Sequence, residues 1–383
     1  MPAPIPSSAL PRTDADKIAW LCLARSRRVG PTTFIRLIRQ FGSAPAALEA
    51  LPQIAADAGD RGYQPASLEA ARREWDAGQR LGAILLPLGA PAYPRALYDL
   101  TDPPAVLWAK GQLPLLARRR VALVGARNAS AVGQRMASSL AKELAQAGFV
   151  VVSGLARGID AAAHRAALTS GTVAVVAGGI DNFYPRETAA LAAEIGEAGL
   201  RLSEMPVGMA PQARHFPQRN RIVSGLSEAV VVVEGAAKSG SLITARTALD
   251  QGRDVMAVPG HPLDPRAGGC NMLIRDGATL IRSGNDVLEA LAPERGADPA
   301  LPGVWADDPV DPPDALTQAQ PVAGPMDGLS GRILALLAAN PVSEDTLIRA
   351  AGAPPQVVLA TLAEMTIEGA IDRQPGGLIA RAA

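Results

Sequence analysis

Three arginines, a histidine and a phenylalanine fall within eight residues in the stretch Arg214-His215-Phe216-Pro217-Gln218-Arg219-Asn220-Arg221. Arginines that can follow a phosphate backbone, interleaved with a ring on which a base can stack, are what single-stranded nucleic acid requires. A solvated basic face would need neither the ring nor the proline. Four glycine-bearing loops could complete such a site. In the first, Gly125, Arg127 and Ser130 precede a helix start, where backbone N–H groups and the helix dipole favour an anion. A bound phosphate, or a tight turn with a solvated arginine, accounts for it equally well. The next glycine after Gly125 is Gly133, so GxGxxG is absent and dinucleotide binding is poorly supported.

The second loop holds Ser153, Gly154 and Gly158, again with backbone N–H groups free to face outward. Asp160 and His164 lie one helical turn apart and could form an acid–base pair. No nucleophile or metal-ligand set accompanies them, so we read an N-cap carboxylate and a satisfied histidine. The third loop contains Gly178, Gly179, the adjacent rings Phe183 and Tyr184, and Arg186. It could stack a base and meet its phosphate, with one ring packing inward. The fourth places Ser239, Gly240 and Ser241 at a helix start beside Lys238, a further anion site that lacks the GxxxxGK[ST] pattern. The DNA-binding candidates are therefore Arg127, Arg186, Arg214, Arg219, Arg221 and Lys238, with Asn220 among the anion-binding groups and Tyr184 and Phe216 as stacking rings. Cradles, cations and rings are present, but no catalytic, metal or cofactor constellation. The expectation is a binding protein and not an enzyme, with no cofactor.

These loops need a scaffold. Apolar, β-branched runs at Val121–Val124, Phe149–Val152, Thr172–Val176, Ala229–Val233 and Asp254–Val258 alternate with helical patterns at Gly133–Ala147, Ala161–Leu168, Glu187–Ile195 and Ser241–Leu249. Runs that are apolar throughout indicate strands covered on both faces. That predicts a Rossmann-like, doubly wound α/β domain over 114–290 with a mostly parallel sheet and ligands at the strands' carboxyl ends.

Residues 12–80 read as a helical domain, followed by a proline-broken connector over 81–113. The Arg27-Arg28-Val29-Gly30-Pro31 turn has a helix-hairpin-helix (SAM-like) look, whose backbone N–H groups can face a phosphate. Without a second copy or a lysine-rich flank, a structural bundle is the favoured account. Residues 291–328 hold eight prolines and seven acidic residues against Arg295 alone, which makes a linker. Three helical stretches and a short hairpin over 329–383 give a winged-helix pattern. It carries four basic and five acidic residues, so a protein-contact or regulatory role is at least as well supported there as DNA binding.

Of the 383 residues, 37 are basic and 37 acidic, which excludes a globally basic nucleic-acid coat. The balance is uneven, because 114–290 carry 19 basic and 15 acidic residues while 291–383 carry 5 and 12. An anionic partner should meet the middle of the chain first. Cys22 and Cys270 lie far apart, without a CxxC or a histidine partner, so neither a zinc ribbon nor a disulfide scaffold is expected. With no 18-residue apolar run and no signal-peptide pattern, a cytoplasmic protein without membrane contact is expected.

The ordered motifs VGARNAS, SGLARGIDAAAH, AGGIDNFYP, FPQRNRIVSGLS, SGSLITA and AVPG resemble the DprA/Smf family (DNA-processing protein A), strongly over about residues 90–290. The resemblance implies single-stranded DNA held in a basic pocket, protection of incoming DNA, and loading of RecA recombinase during natural transformation. It assigns Arg127 to the G-x-R turn, Arg219 and Arg221 to RNR, and Arg186 to a basic position after FYP. Arg214 falls near a basic position whose register varies. Homodimerisation would use the neighbourhood of Asn271 and Leu280. The alternative from another class is a nucleotide-binding or nucleoside-monophosphate-cleaving enzyme akin to lysine-decarboxylase-like Rossmann proteins. Those carry GGxGT-x-x-E, whereas Glu234 here precedes its loop, which weakens that reading.

Overall fold

Three of the four N-terminal α-helices begin at a capping side chain, and the fourth at a proline. A capping box between Thr13 and Asp16 opens α1 (Asp14–Arg25), and Pro31 sits at the start of α2 (Pro31–Phe41). Ser43 and Ser67 cap α3 (Ala44–Asp57) and α4 (Leu68–Arg80). These side-chain oxygens satisfy N–H groups that have no partner within a helix. The computed structural model describes residues 5–292, 327–337, 342–374 and 378–381. The chain forms two compact units, divided after Pro299.

The segment read as a connector, 81–113, folds into β1 (Ile84–Pro87) and β2 (Val106–Gly111), an antiparallel pair that joins the main sheet. Then follow β3 (Arg120–Val124), α5 (Ala131–Gln146), β4 (Val150–Ser153), α6 (Ile159–Ala167), β5 (Thr172–Val175), α7 (Ala189–Ala198) and β6 (Leu200–Ser203). The unit ends with α8 (His215–Gly225), β7 (Ala229–Val232), α9 (Gly240–Asp250), β8 (Asp254–Ala257), α10 (Gly268–Arg275), β9 (Thr279–Leu280) and α11 (Gly284–Ala290). Strand order is β1-β2-β6-β5-β4-β3-β7-β8-β9, and every pairing from β6 to β9 is parallel. The doubly wound architecture is thus as expected.

Side chains alternate between two cores. Val150, Val152, Val173 and Val230 face α8, α9 and α10, whereas Val121, Val151 and Val231 face α5, α6 and α11. The helical domain is fastened to β1 and β2 by a third core containing Trp20, Phe34 and Trp108. Two indole hydrogen bonds lock it, Trp20 Nε1 to Ala105 O (3.0 Å) and Trp108 Nε1 to Glu74 Oε1 (2.8 Å). Burying a ring of that size while satisfying its N–H is the favourable use of tryptophan in a core.

In the second unit, α12 (Asp327–Leu336), β10 (Val342–Ser343), α13 (Glu344–Ala350), α14 (Pro355–Ile367), β11 (Ile371–Gln374) and β12 (Leu378–Arg381) make a winged helix. Ile333, Leu347, Val358, Leu362 and Ile379 form its core. Most of the expected linker, 293–326, lies outside the described residues.

Candidate nucleic-acid interface

The strand order reverses at β3, which has β4 on one side and β7 on the other. In an open parallel sheet a crevice forms there, at the carboxyl ends of the strands. It has two arms here. The larger, about 680 Å³, is lined by Gly125, Arg127 and Asn128 from the loop after β3, by Asn220, and by Ser239–Ser241 at the start of α9. The smaller, about 470 Å³, adds Arg157, Tyr184 and Arg186. Gly154, Phe216, Arg127 and Arg219 line both.

An aromatic and cationic wall separates the arms. The Arg127 guanidinium lies 5.0 Å from the centre of the Phe216 ring, and Tyr184 meets Phe216 edge-on at 6.1 Å. Arg127 and Arg186 are exposed. A cation held over a ring is both oriented and left with N–H groups to offer a phosphate.

Arg219 does something different. It is buried beneath the cleft, where Nη1 donates to Val175 O (3.2 Å) and Nε has no partner. A Cβ on Gly154 would fall 1.3 Å from Nη1, so any side chain there would have to push this guanidinium aside. Burial pulls the Arg219 pKa down to about 10, Asp160 opposes the shift and Arg127 adds to it. Asp160 is itself buried, with its pKa raised by desolvation, and accepts from the N–H groups of Gly154 (3.1 Å) and Ala156 (3.3 Å). His164 is neutral, its pKa near 3 because of burial and the Arg219 charge. Asp160 reaches the lining of the larger arm but bonds its own loop, and His164 is wholly buried beside Thr172, so the two do not form an acid–base pair. Asp160 ties down its own loop, and Gly158, with φ +79°, makes the turn that allows this.

Several predicted residues lie elsewhere. Arg221 does not converge with the others: it bonds both oxygens of Glu204 at 2.7 Å and reaches Asp102 at 3.2 Å, which consumes its charge within the fold. Arg219 and Arg221 sit two apart on a helix and must diverge. Arg214 is exposed at the N-cap of α8, with Nε 3.4 Å from His215 Nε2, and Lys238 is exposed outside the cleft lining. Ser153 donates to Leu123 O (2.6 Å). Gly178 and Gly179 accept from Ser203 Oγ and donate to Met209 O respectively, so their loop packs inward. Ser130 caps α5 and also donates to Glu234, a buried carboxylate that holds Arg266 at 3.3 Å. Asn271 clamps the Gly260 backbone through both amide atoms, and Leu280 is exposed on β9 at the sheet edge.

Sequence reasoning missed Asn128, Arg157, Thr244 and Arg266, all in the cleft lining. Arg157 stood inside a quoted motif. Arg266 follows Asp264, with which it pairs at 3.0 Å, and such a pair reads as a solvated loop. Among the described residues no group of three or more His, Cys, Asp or Glu could hold a metal, and no helix is long and apolar enough to cross a membrane. Both cysteines are buried, and burial raises the Cys270 thiol to about 11, far from a reactive thiolate.

Residues 85–292 match the family model described as DNA recombination-mediator protein A. Residues 14–77 match a DprA-like N-terminal HHH domain, and 312–377 a DprA winged helix domain. The chain is 48% identical over 217 residues to DNA processing protein DprA of Bacillus subtilis, covering 56% of this chain and 73% of that one. It is 39% identical over 298 residues to protein Smf of Escherichia coli, covering 77% and 76%. Among solved structures, it is similar to DNA processing protein A from Streptococcus pneumoniae, with TM-score 0.60, 33% identity, and 73% and 98% of the two chains covered. A second, from Helicobacter pylori, was described for its single-stranded DNA binding mode; it gives TM-score 0.51 and 32% identity over 55% and 95%.

Proposed function

Since the chain belongs to the DNA recombination-mediator protein A (DprA/Smf) family, we propose that it binds single-stranded DNA in the two-armed cleft and passes that DNA to RecA recombinase. The observation that carries this reading is the wall of Arg127, Phe216 and Tyr184 between the arms. It offers a phosphate contact and stacking faces that a duplex, with its bases hidden, cannot use. Protection of incoming DNA during natural transformation follows if the strand is held there until recombinase replaces it. The chain acts without catalysis and as a homodimer through the exposed β9 edge near Leu280, in the cytoplasm.

Oligothymidine titration of the purified protein tests this. Arg127→Ala should weaken binding by about 1–3 kcal/mol, the range for a charge-assisted contact, and lower salt should restore part of the loss. An equally tight duplex, or an affinity indifferent to Arg127 across the salt series, would refute the assignment. Nucleoside monophosphates, tested in parallel for binding and hydrolysis, address the enzyme alternative; turnover would establish it. RecA-dependent strand pairing with and without the protein tests the hand-over.

A further inference from the structure

Arg201 stands on β6 and is 3% exposed, yet its Nε and Nη1 have no hydrogen-bond partner. Its ladder neighbours are Ala174 and Lys110, neither of which can neutralise it. Gly196 of α7 leaves the guanidinium room, since a Cβ there would come within 2.8 Å of Nη2. The side chain it meets is Phe183, whose ring centre lies 4.6 Å from the guanidinium carbon. Burial depresses the Arg201 pKa, while the charge of Asp181 opposes that fall. A buried cation answered mainly by a ring face loses more solvation than it regains. For stability alone, an apolar residue between Leu200 and Leu202 would serve better.

Phe183 adjoins Tyr184 and Arg186, the residues that line the smaller arm of the cleft. The loop is tied before Phe183 by Asn182 N to Gly179 O and after Arg186 by Thr188 Oγ1 to Leu155 O. Between these ties the Phe183 ring is seated on Arg201.

We propose that Arg201 is a positioning residue that holds the Phe183 ring, and through it presents Tyr184 and Arg186 to a bound single strand. The inference rests on the DNA-binding reading above. It accounts for a charge that is buried at a net cost in solvation.

The test uses the full chain and oligothymidine over a salt series, with thermal unfolding measured alongside. Arg201→Met should melt no lower than the unaltered protein but bind roughly three- to tenfold more weakly. Its slope of log affinity against log salt should fall by about one, as expected when one phosphate contact is lost. In a Tyr184→Ala/Arg186→Ala background the same change should add less than about twofold, because both contacts it presents are already gone. Arg201→Lys, which keeps a cation on the ring, should recover at least half of the loss. Phe183→Leu removes the ring instead and should reproduce both the weaker binding and the shallower slope. Unchanged affinity and slope in Arg201→Met or Phe183→Leu, or losses that multiply with Tyr184→Ala/Arg186→Ala, would overturn the proposal while leaving the cleft assignment intact. Failure of the unaltered chain to bind oligothymidine would sink both.

Discussion

His164 should make the larger unit lose stability in mild acid. Its Nδ1 lies 2.7 Å from Thr172 Oγ1, and that hydroxyl donates its own proton to Val151 O at 2.9 Å. The ring must therefore donate from Nδ1, leaving Nε2 as a buried lone pair without a partner. Burial, reinforced by the charge of Arg219, sets the folded pKa near 3 against an ordinary 6.5. The folded value is the depressed one, so below 6.5 the unfolded chain takes up the proton first. The resulting stability is complete above that value and is lost as the pH falls towards 3. From neutrality to near pH 5 the loss is about 2 kcal/mol. His164→Leu removes this dependence and leaves Thr172 bonded. Urea unfolding followed by tryptophan fluorescence reads it directly, because Trp20, Trp75 and Trp108 are buried in this unit. Asp160 and Glu204, whose pKa values burial raises, act in the opposite direction but are present in both proteins. The unaltered protein should lose about 2 kcal/mol more than the variant between near pH 8 and near pH 5. Equal losses would show that His164 is not held neutral and would refute the reasoning.

Other substitutions separate fold from site. Arg221→Met leaves the largely buried Glu204 carboxylate eased only by Arg25, and should cost about 3 kcal/mol in urea unfolding while oligothymidine affinity stays within about threefold. Gly154→Ala should force Arg219 off Val175 O, destabilising by about 1–3 kcal/mol and weakening single-strand binding about tenfold in the same titration. Truncation after Leu291 should leave oligothymidine affinity within about threefold, since α14 carries no lysine or arginine and Val357 and Leu359 are exposed on it. A tenfold loss there would make the winged helix a DNA-binding element.

What the sequence disclosed follows from how each element is buried. Val121–Val124 and Ala229–Val233 are apolar throughout because helices cover both faces of β3 and β7, so they could be read directly. Strand β6 escaped because Leu200-Arg201-Leu202-Ser203 alternates, and an alternating arginine signals solvent although this one is buried. Strands β1 and β2 escaped because Pro87 and nearby prolines mask them. Glycine and hydroxyl residues at strand ends disclosed the cleft loops, and Arg127, Phe216 and Tyr184 do meet there. The fate of Arg221 was illegible because its partners, Glu204 and Asp102, come from distant segments. Nor was the RNR stretch read as a helix, which would have shown that its two arginines point apart.

The pairing of β2 with β6 also sets an order of events at the ribosome. Trp108 lies opposite Ser203, and no partner nearer in sequence covers that edge of β2. While the chain emerges, the helical domain and the β1–β2 hairpin can collapse together around Trp20, but the open edge of β2 must wait until β6 has been made. Synthesis of β3, β4 and β5 falls within that interval. Nascent chains halted before Leu200 should therefore expose an unpaired strand, the kind of edge that invites aggregation or chaperone capture. A pause in translation once β6 has cleared the ribosome would relieve that exposure, whereas one between β3 and β5 would prolong it.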